Sequence, residues 1–178
     1  KSAFLHGDLV EEVYVSQPPG FEVAGSDSKV YKLHKALYGL HQAPRTWNCK
    51  LDATLRELGF EKCPSDSGLY RKKEWESVLM VGVYVDDLII TGGSDRVIAD
   101  FKKQMKSKFS MSDLGLMSYY LGIEVEQSAD GITLSQSAYA ARILEKMGMS
   151  NCNSAHTPME PRLKLSKESQ AEAVDPTK

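Results

Sequence analysis

Hydrophobic and polar positions change period several times along this chain. Glu12-Val13-Tyr14-Val15 alternates like a half-buried strand and stops at Pro18-Pro19, which cannot donate to a ladder. Val30–Leu33 predicts another short strand. Residues 119–126 alternate again, with Leu121, Ile123 and Val125 opposed to Glu124 and Glu126, and Asp130-Gly131 turns that strand back into Ile132-Thr133-Leu134. Three stretches have helical spacing instead. Trp47, Leu51, Leu55 and Leu58 lie between Pro44 and Gly59; Val97, Phe101 and Met105 follow a Ser94 or Asp95 cap; Tyr139, Ile143 and Met147 lie between Ser135 and Gly148. The rest is organised around residues 78–92, Val-Leu-Met-Val-Gly-Val-Tyr-Val-Asp-Asp-Leu-Ile-Ile-Thr-Gly. Two β-branched runs there flank Asp86 and Asp87, the pattern of a buried hairpin with two acids at its tip.

Taken alone, Asp-Asp fits an ordinary exposed turn. Burying an unpaired charge beside so much Val and Ile is costly, so the flanks point to water or a divalent cation that keeps the acids ionised. Composition changes the picture little: 42% hydrophobic and 26% charged residues are ordinary for a globular chain, and 178 residues suffice for one core with a trailing segment. No run approaches the ~20 apolar residues of a membrane span, and the first residues lack a signal-peptide pattern. Without an initiator Met, the chain reads as an excised piece of something longer. Cys49, Cys63 and Cys152 are too scattered for a disulfide framework or a zinc site, which makes a reducing, intracellular setting the default. The net charge of -2 excludes a generally basic nucleic-acid coat. Locally, however, no acid occurs between Ser28 and Leu51, where Lys29, Lys32, Lys35, Arg45 and Lys50 cluster, and Arg71-Lys72-Lys73 follows. These charges read either as a solvated face or as a track for phosphates.

The motifs occur in an order that resembles the reverse transcriptase of copia-type long-terminal-repeat retrotransposon Pol polyproteins. They run from Ser2-Ala3-Phe4-Leu5-His6-Gly7-Asp8-Leu9 through Gln17-Pro18-Pro19-Gly20-Phe21 and residues 37–47 to Tyr84-Val85-Asp86-Asp87. Leu121-Gly122-Ile123-Glu124-Val125, Leu134-Ser135-Gln136 and Thr157-Pro158-Met159 complete them. The fold this implies is α+β: a polymerase palm, an antiparallel sheet with helices packed on one face, with partial fingers and the start of a thumb. Palm and partial fingers would occupy 1–126, including the catalytic hairpin 78–92 and a primer-grip-like strand 119–126. The start of the thumb would occupy 127–149, and a linker or disordered tail 150–178.

The chemistry implied is RNA-directed DNA polymerisation on two Mg²⁺ ions, or Mn²⁺ in their place, with Asp86 the essential ligand and Asp87 its weaker partner. By the same resemblance Phe4 is an aromatic gate under the nucleotide sugar, with a plain core residue as the alternative. Gln42 heads the nucleotide-site helix, Arg45 meets phosphate or template, Tyr84 borders the primer terminus, and Leu121, Gly122 and Ile123 form a primer grip. The partners implied are an RNA or DNA template with its primer, deoxynucleoside triphosphates, and the upstream fingers and downstream ribonuclease H regions of the parent polyprotein, with no membrane. The setting implied is a cytoplasmic virus-like particle with a nuclear stage.

One departure bears on activity. In the family an aspartate just before the position of Lys1 supplies the carboxylate that bridges both metals, and these 178 residues do not contain it. The segment is therefore expected to be incompetent alone. The alternative class is a non-catalytic retroelement remnant that at most binds nucleic acid. A metal-dependent hydrolase using the same acids has no supporting His or further carboxylate motif.

Overall fold

The computed structural model describes residues 2–26, 28–74, 77–159 and 162–164. Its first element is a single 3₁₀ turn, Ala3–His6, which carries Phe4 into the core. Gly7 ends that turn: its N–H donates to the Phe4 carbonyl and its own carbonyl accepts from Ala36. A Cβ at Gly7 would lie 3.0 Å from Thr46 Cγ2 and 3.1 Å from the Trp47 backbone nitrogen, so a side chain there would push the two segments apart by a few tenths of an ångström. Strand β1 (Asp8–Ser16) then pairs antiparallel with β2 (Val30–Lys35). The strand runs N-terminally to Asp8, but the alternation read at 12–15 breaks before it: Val10, Glu11 and Glu12 are all exposed where the register shifts between Asp8 and Val13.

Helix α1 (Ala43–Glu57) carries Pro44 in its first turn and buries Trp47, Leu51 and Leu55 at the predicted spacing. It is followed by the sheet β3 (Glu61–Lys62), β4 (Leu69–Glu74), β5 (Ser77–Tyr84) and β6 (Asp87–Gly92), antiparallel in sequence order. Leu79 and Val81 alternate inward from β5, and Tyr70 of β4 lies directly across from Val81. Helix α2 (Asp95–Lys108) adds Phe101 and Met105 to the same core, where Phe101 meets Phe60 at 4.9 Å between ring centroids. Tyr70 is fully buried and its hydroxyl donates to Asp52 at 2.8 Å, so the core's one phenol is satisfied.

These elements form one compact unit, Lys1–Gly115; Leu116–Lys178 is a second. In the second, the stretch expected as one strand is split. Strand β7 (Tyr119–Tyr120) folds back on β8 (Ile123–Ser128) through Leu121 and Gly122, both left-handed with φ of 49° and 86°. Two such residues in a row make the type I′ hairpin turn, a signal that the alternation across 119–126 conceals. Strand β9 (Gly131–Ser135) completes a meander, and helix α3 (Ser137–Lys146) follows. Ser135 does not cap α3 directly. Its hydroxyl donates to Glu124, whose other oxygen accepts the Ala138 N–H at 2.8 Å, so a strand carboxylate caps the helix. From Ser150 to Met159 the described residues form turns and bends; residues 160, 161 and 165–178 of the expected tail lie outside the described residues. Among the described residues no helix is long and apolar enough to cross a membrane.

Candidate functional site

The hairpin predicted at 78–92 forms, with Tyr84 paired to Asp87 and only Val85 and Asp86 in the loop. Val85 has φ of 55°, the positive angle that a type II′ turn requires at its first central residue. Glycine is the usual occupant there; a β-branched residue in that region is strained. The turn leaves Asp86 half-buried and Asp87 exposed at the start of β6.

Two aromatic side chains from outside the hairpin hold this tip. The buried Trp47 indole, in the first turns of α1, donates its N–H to the Val85 carbonyl at 2.8 Å. Its ring is braced by Phe109, edge-on at 5.1 Å, and by His6 at 6.2 Å. The Tyr38 hydroxyl donates to Asp86 Oδ2 at 2.9 Å, and the Tyr38 ring lies 4.2 Å from that of Phe4, tilted by 33°. The bond to the Asp86 carboxylate, more than burial, raises the Tyr38 phenol above its ordinary pKa. Phe4, Tyr38, Trp47 and the acid pair therefore converge, although they are scattered over more than eighty positions of sequence.

The other expected site residues are placed less directly. Gln42 is half-buried at the cap position of α1, Arg45 is exposed one residue beyond Pro44, and Tyr84 is about half exposed beside the turn. The hydrogen bond that reaches Asp86 comes from Tyr38, a residue that sequence reasoning passed over. Its only signal is its position in Leu37-Tyr38-Gly39-Leu40, a turn closed by the Leu40 N–H on the Leu37 carbonyl immediately before α1. Leu121, Gly122 and Ile123 belong to the second compact unit, as the β7–β8 turn described above.

The basic cluster is largely neutralised locally. Lys32 pairs with Glu12, and Lys35 and Lys50 both pair with Asp8, the latter at 3.2 Å. The Lys35 contact, reinforced by Lys50, holds the Asp8 carboxyl below the usual carboxylate range. These lysines thus tie β1 to β2 and α1, whereas Arg45 stands exposed in the first turn of α1. Surface depressions of about 150 and 340 Å³ lie elsewhere, beside Phe60 and Phe101 and beside Lys50 and Lys108. Each hollow is lined by one carboxylate, Asp100 or Glu57, whereas the hairpin presents two adjacent ones. Among the described residues no group of three or more His, Cys, Asp or Glu side chains is arranged to hold a metal ion.

Comparison with known proteins agrees with the order of motifs. A family profile described as reverse transcriptase (RNA-dependent DNA polymerase) matches residues 1–161. The retrovirus-related Pol polyprotein from transposon TNT 1-94 of Nicotiana tabacum is 43% identical over 94% of this chain and 13% of its own length. That from transposon RE1 of Arabidopsis thaliana is 39% identical over 99% of this chain and 12% of its own. A putative transposon Ty5-1 protein of Saccharomyces cerevisiae is 34% identical over 89% of this chain and 52% of its own. The chain thus spans about an eighth of the length of the first two. No solved structure matches.

Proposed function

Because the chain belongs to the reverse transcriptase (RNA-dependent DNA polymerase) family, we propose that its hairpin acids serve template-directed nucleotidyl transfer within a retrotransposon Pol polyprotein. The observation that supports this most is the strained two-residue turn that presents Asp86 and Asp87 while Trp47 and Tyr38 hold it from outside. An ordinary solvent turn needs neither the strain nor the tethers.

The donor set suits magnesium. Two adjacent carboxylates on an open surface offer hard oxygens and leave room for water and substrate phosphates, which is how Mg²⁺ is commonly held. Asp86 and Asp87 would hold it, or Mn²⁺ in its place; when bound, such ions neutralise charge that develops on the transferring phosphoryl group. In the reaction a primer 3′-oxygen bonds to the α-phosphorus of a deoxynucleotide, the bond to the β-phosphate breaks, pyrophosphate leaves, and the hydroxyl proton passes to solvent. The chain's own groups position the partners. Phe4 lies under the sugar and leaves no space for a 2′-hydroxyl. Gln42, at the start of α1, faces the nucleotide. Arg45 meets phosphate, Tyr84 borders the primer terminus, and the Leu121-Gly122-Ile123 turn grips the primer backbone, its glycine admitting a close approach.

In this reading residues 1–126 are palm with partial fingers, 127–149 begin the thumb, and 150–178 link onward. Template, primer, fingers and ribonuclease H regions complete the machine, in an intracellular, cytoplasmic particle. These 178 residues supply two acids of the set that the family uses, so they do not polymerise by themselves. The test is primer extension of oligo(dT) on poly(rA) with Mg²⁺. The chain alone gives no product, whereas a chimera that prefixes the residues preceding the matched region of the tobacco relative does, and Asp86→Asn abolishes it there. Extension by the 178 residues alone overturns their incompetence. A folded chimera that is inactive, or one indifferent to Asp86→Asn, overturns the function.

A further inference from the structure

We propose that Tyr38 is a positioning and specificity-determining residue of this site: its ring backs Phe4 and its hydroxyl aims Asp86, so that one side chain sets both sugar selection and cation binding. The inference rests on the polymerase reading above and adds to it a residue that no motif match assigned.

The argument begins with Phe4. A gate that rejects a 2′-hydroxyl by occupying its space works only if the ring cannot swing aside. Phe4 sits on a single 3₁₀ turn and belongs to the same buried cluster as Ala36, Ala43 and Trp47. The residue is 6% exposed, and the aromatic ring against it is that of Tyr38, 4.2 Å away. Tyr38 in turn is held at its far end, because its hydroxyl donates to Asp86 Oδ2 at 2.9 Å. Its backbone is fixed by the Leu37–Leu40 turn, in which Gly39 takes φ of 94°. The phenol thus spans the gap between the gate and the acid. Yet 49% of Tyr38 remains exposed, far more than a residue retained for core packing would leave in water. A half-exposed ring joining a sugar gate to a metal acid is placed where the sugar and triphosphate of a nucleotide meet.

The hydroxyl has a second consequence. It engages one oxygen of Asp86 and leaves the other for a cation, so it selects a carboxylate orientation before the cation arrives. Loss of the hydroxyl frees the carboxylate to rotate; loss of the ring frees Phe4. Phenylalanine and leucine at position 38 therefore separate the two roles.

The experiment uses the full 178-residue chain and variants Tyr38→Phe and Tyr38→Leu, each checked by circular dichroism. Mn²⁺ is titrated by electron paramagnetic resonance, and dATP and ATP are then titrated against the Mn²⁺-loaded chain. The unaltered chain binds Mn²⁺ and prefers dATP. Tyr38→Phe weakens Mn²⁺ binding by roughly three- to tenfold, the loss of one charge-assisted hydrogen bond, and keeps the dATP preference. Tyr38→Leu weakens Mn²⁺ to the same degree and lowers the preference at least threefold. Unchanged or tighter Mn²⁺ binding in Tyr38→Phe overturns the aiming role, and an unchanged dATP-to-ATP ratio in Tyr38→Leu overturns the backing role. If the unaltered chain binds neither Mn²⁺ nor dATP, or binds both and the variants match it, this inference fails; the polymerase reading stands or falls separately, on primer extension by the chimera.

Discussion

Replacing Trp47 by phenylalanine tests whether helix α1 holds the acid-bearing turn. The indole is 3% exposed and its N–H reaches the Val85 carbonyl at 2.8 Å. Phenylalanine loses that donor and part of the ring volume. The hydrogen bond contributes about 1 kcal/mol net, rising toward about 2 because the partly buried carbonyl is left without its partner. Missing ring atoms in a packed site add about 1 kcal/mol. The sum, about 2–3 kcal/mol, is a large share of a domain's stability. The companion variant is Val85→Gly. Glycine relieves about 1–2 kcal/mol of left-handed strain at φ 55° and adds about 0.5–1 kcal/mol of unfolded-state entropy in the opposite direction, so the variant lies between no change and about 1.5 kcal/mol of stabilisation. Equilibrium urea unfolding followed by far-ultraviolet circular dichroism measures all three proteins. A Trp47→Phe cost below about 0.5 kcal/mol, or a Val85→Gly cost above about 2 kcal/mol, refutes the account of a strained turn held by a tether.

Further outcomes follow from the packing and the charges. Gly7→Ala places a methyl 3.0–3.2 Å from Thr46 and Trp47 backbone and side-chain atoms, and overpacking of this kind costs about 1–3 kcal/mol in thermal unfolding. Leu55→Ala, at a fully buried position of α1, costs about 2–5 kcal/mol by the same measurement. The Asp52 carboxyl is held below its ordinary pKa first by the Arg56 hydrogen bond and also by the Tyr70 hydroxyl. Its contribution is therefore present above the unfolded carboxylate value of about 4 and lost as pH falls through the lower folded value; Asp52→Asn flattens the fall of Tm below about pH 4, and an unchanged acid limb contradicts the assignment. Glu124→Ala removes the carboxylate that caps α3 and lowers the helical circular dichroism signal, whereas Ser135→Ala, which leaves Glu124 in place, lowers it less.

Much of the fold was legible because its signals are local. Residues 78–92 read as a hairpin since β-branched runs flank a two-residue turn, and α1 read as a helix since Trp47, Leu51 and Leu55 recur on one face after Pro44. The break at Leu121-Gly122 was hidden, because alternation continues across a type I′ turn and only the backbone angles reveal it. The lysines at 32, 35 and 50, in a stretch without acids, read either as a solvated face or as a phosphate track; the acids that neutralise them come from β1, some twenty to forty positions away. The site was half legible for the same reason. Asp86, Asp87 and Phe4 were named from motif order, whereas Tyr38 and the indole N–H of Trp47 make contacts 48 and 38 positions long, which no local pattern encodes.

The central claim, that the Asp86–Asp87 tip exists to hold a divalent cation, is tested most directly by titrating Mn²⁺ into the chain and into Asp86→Asn under electron paramagnetic resonance. The account predicts saturable binding at one class of site that weakens at least tenfold when the Asp86 charge is removed, with a smaller loss in Asp87→Asn. Equal Mn²⁺ affinity in the unaltered chain and in Asp86→Asn would contradict it.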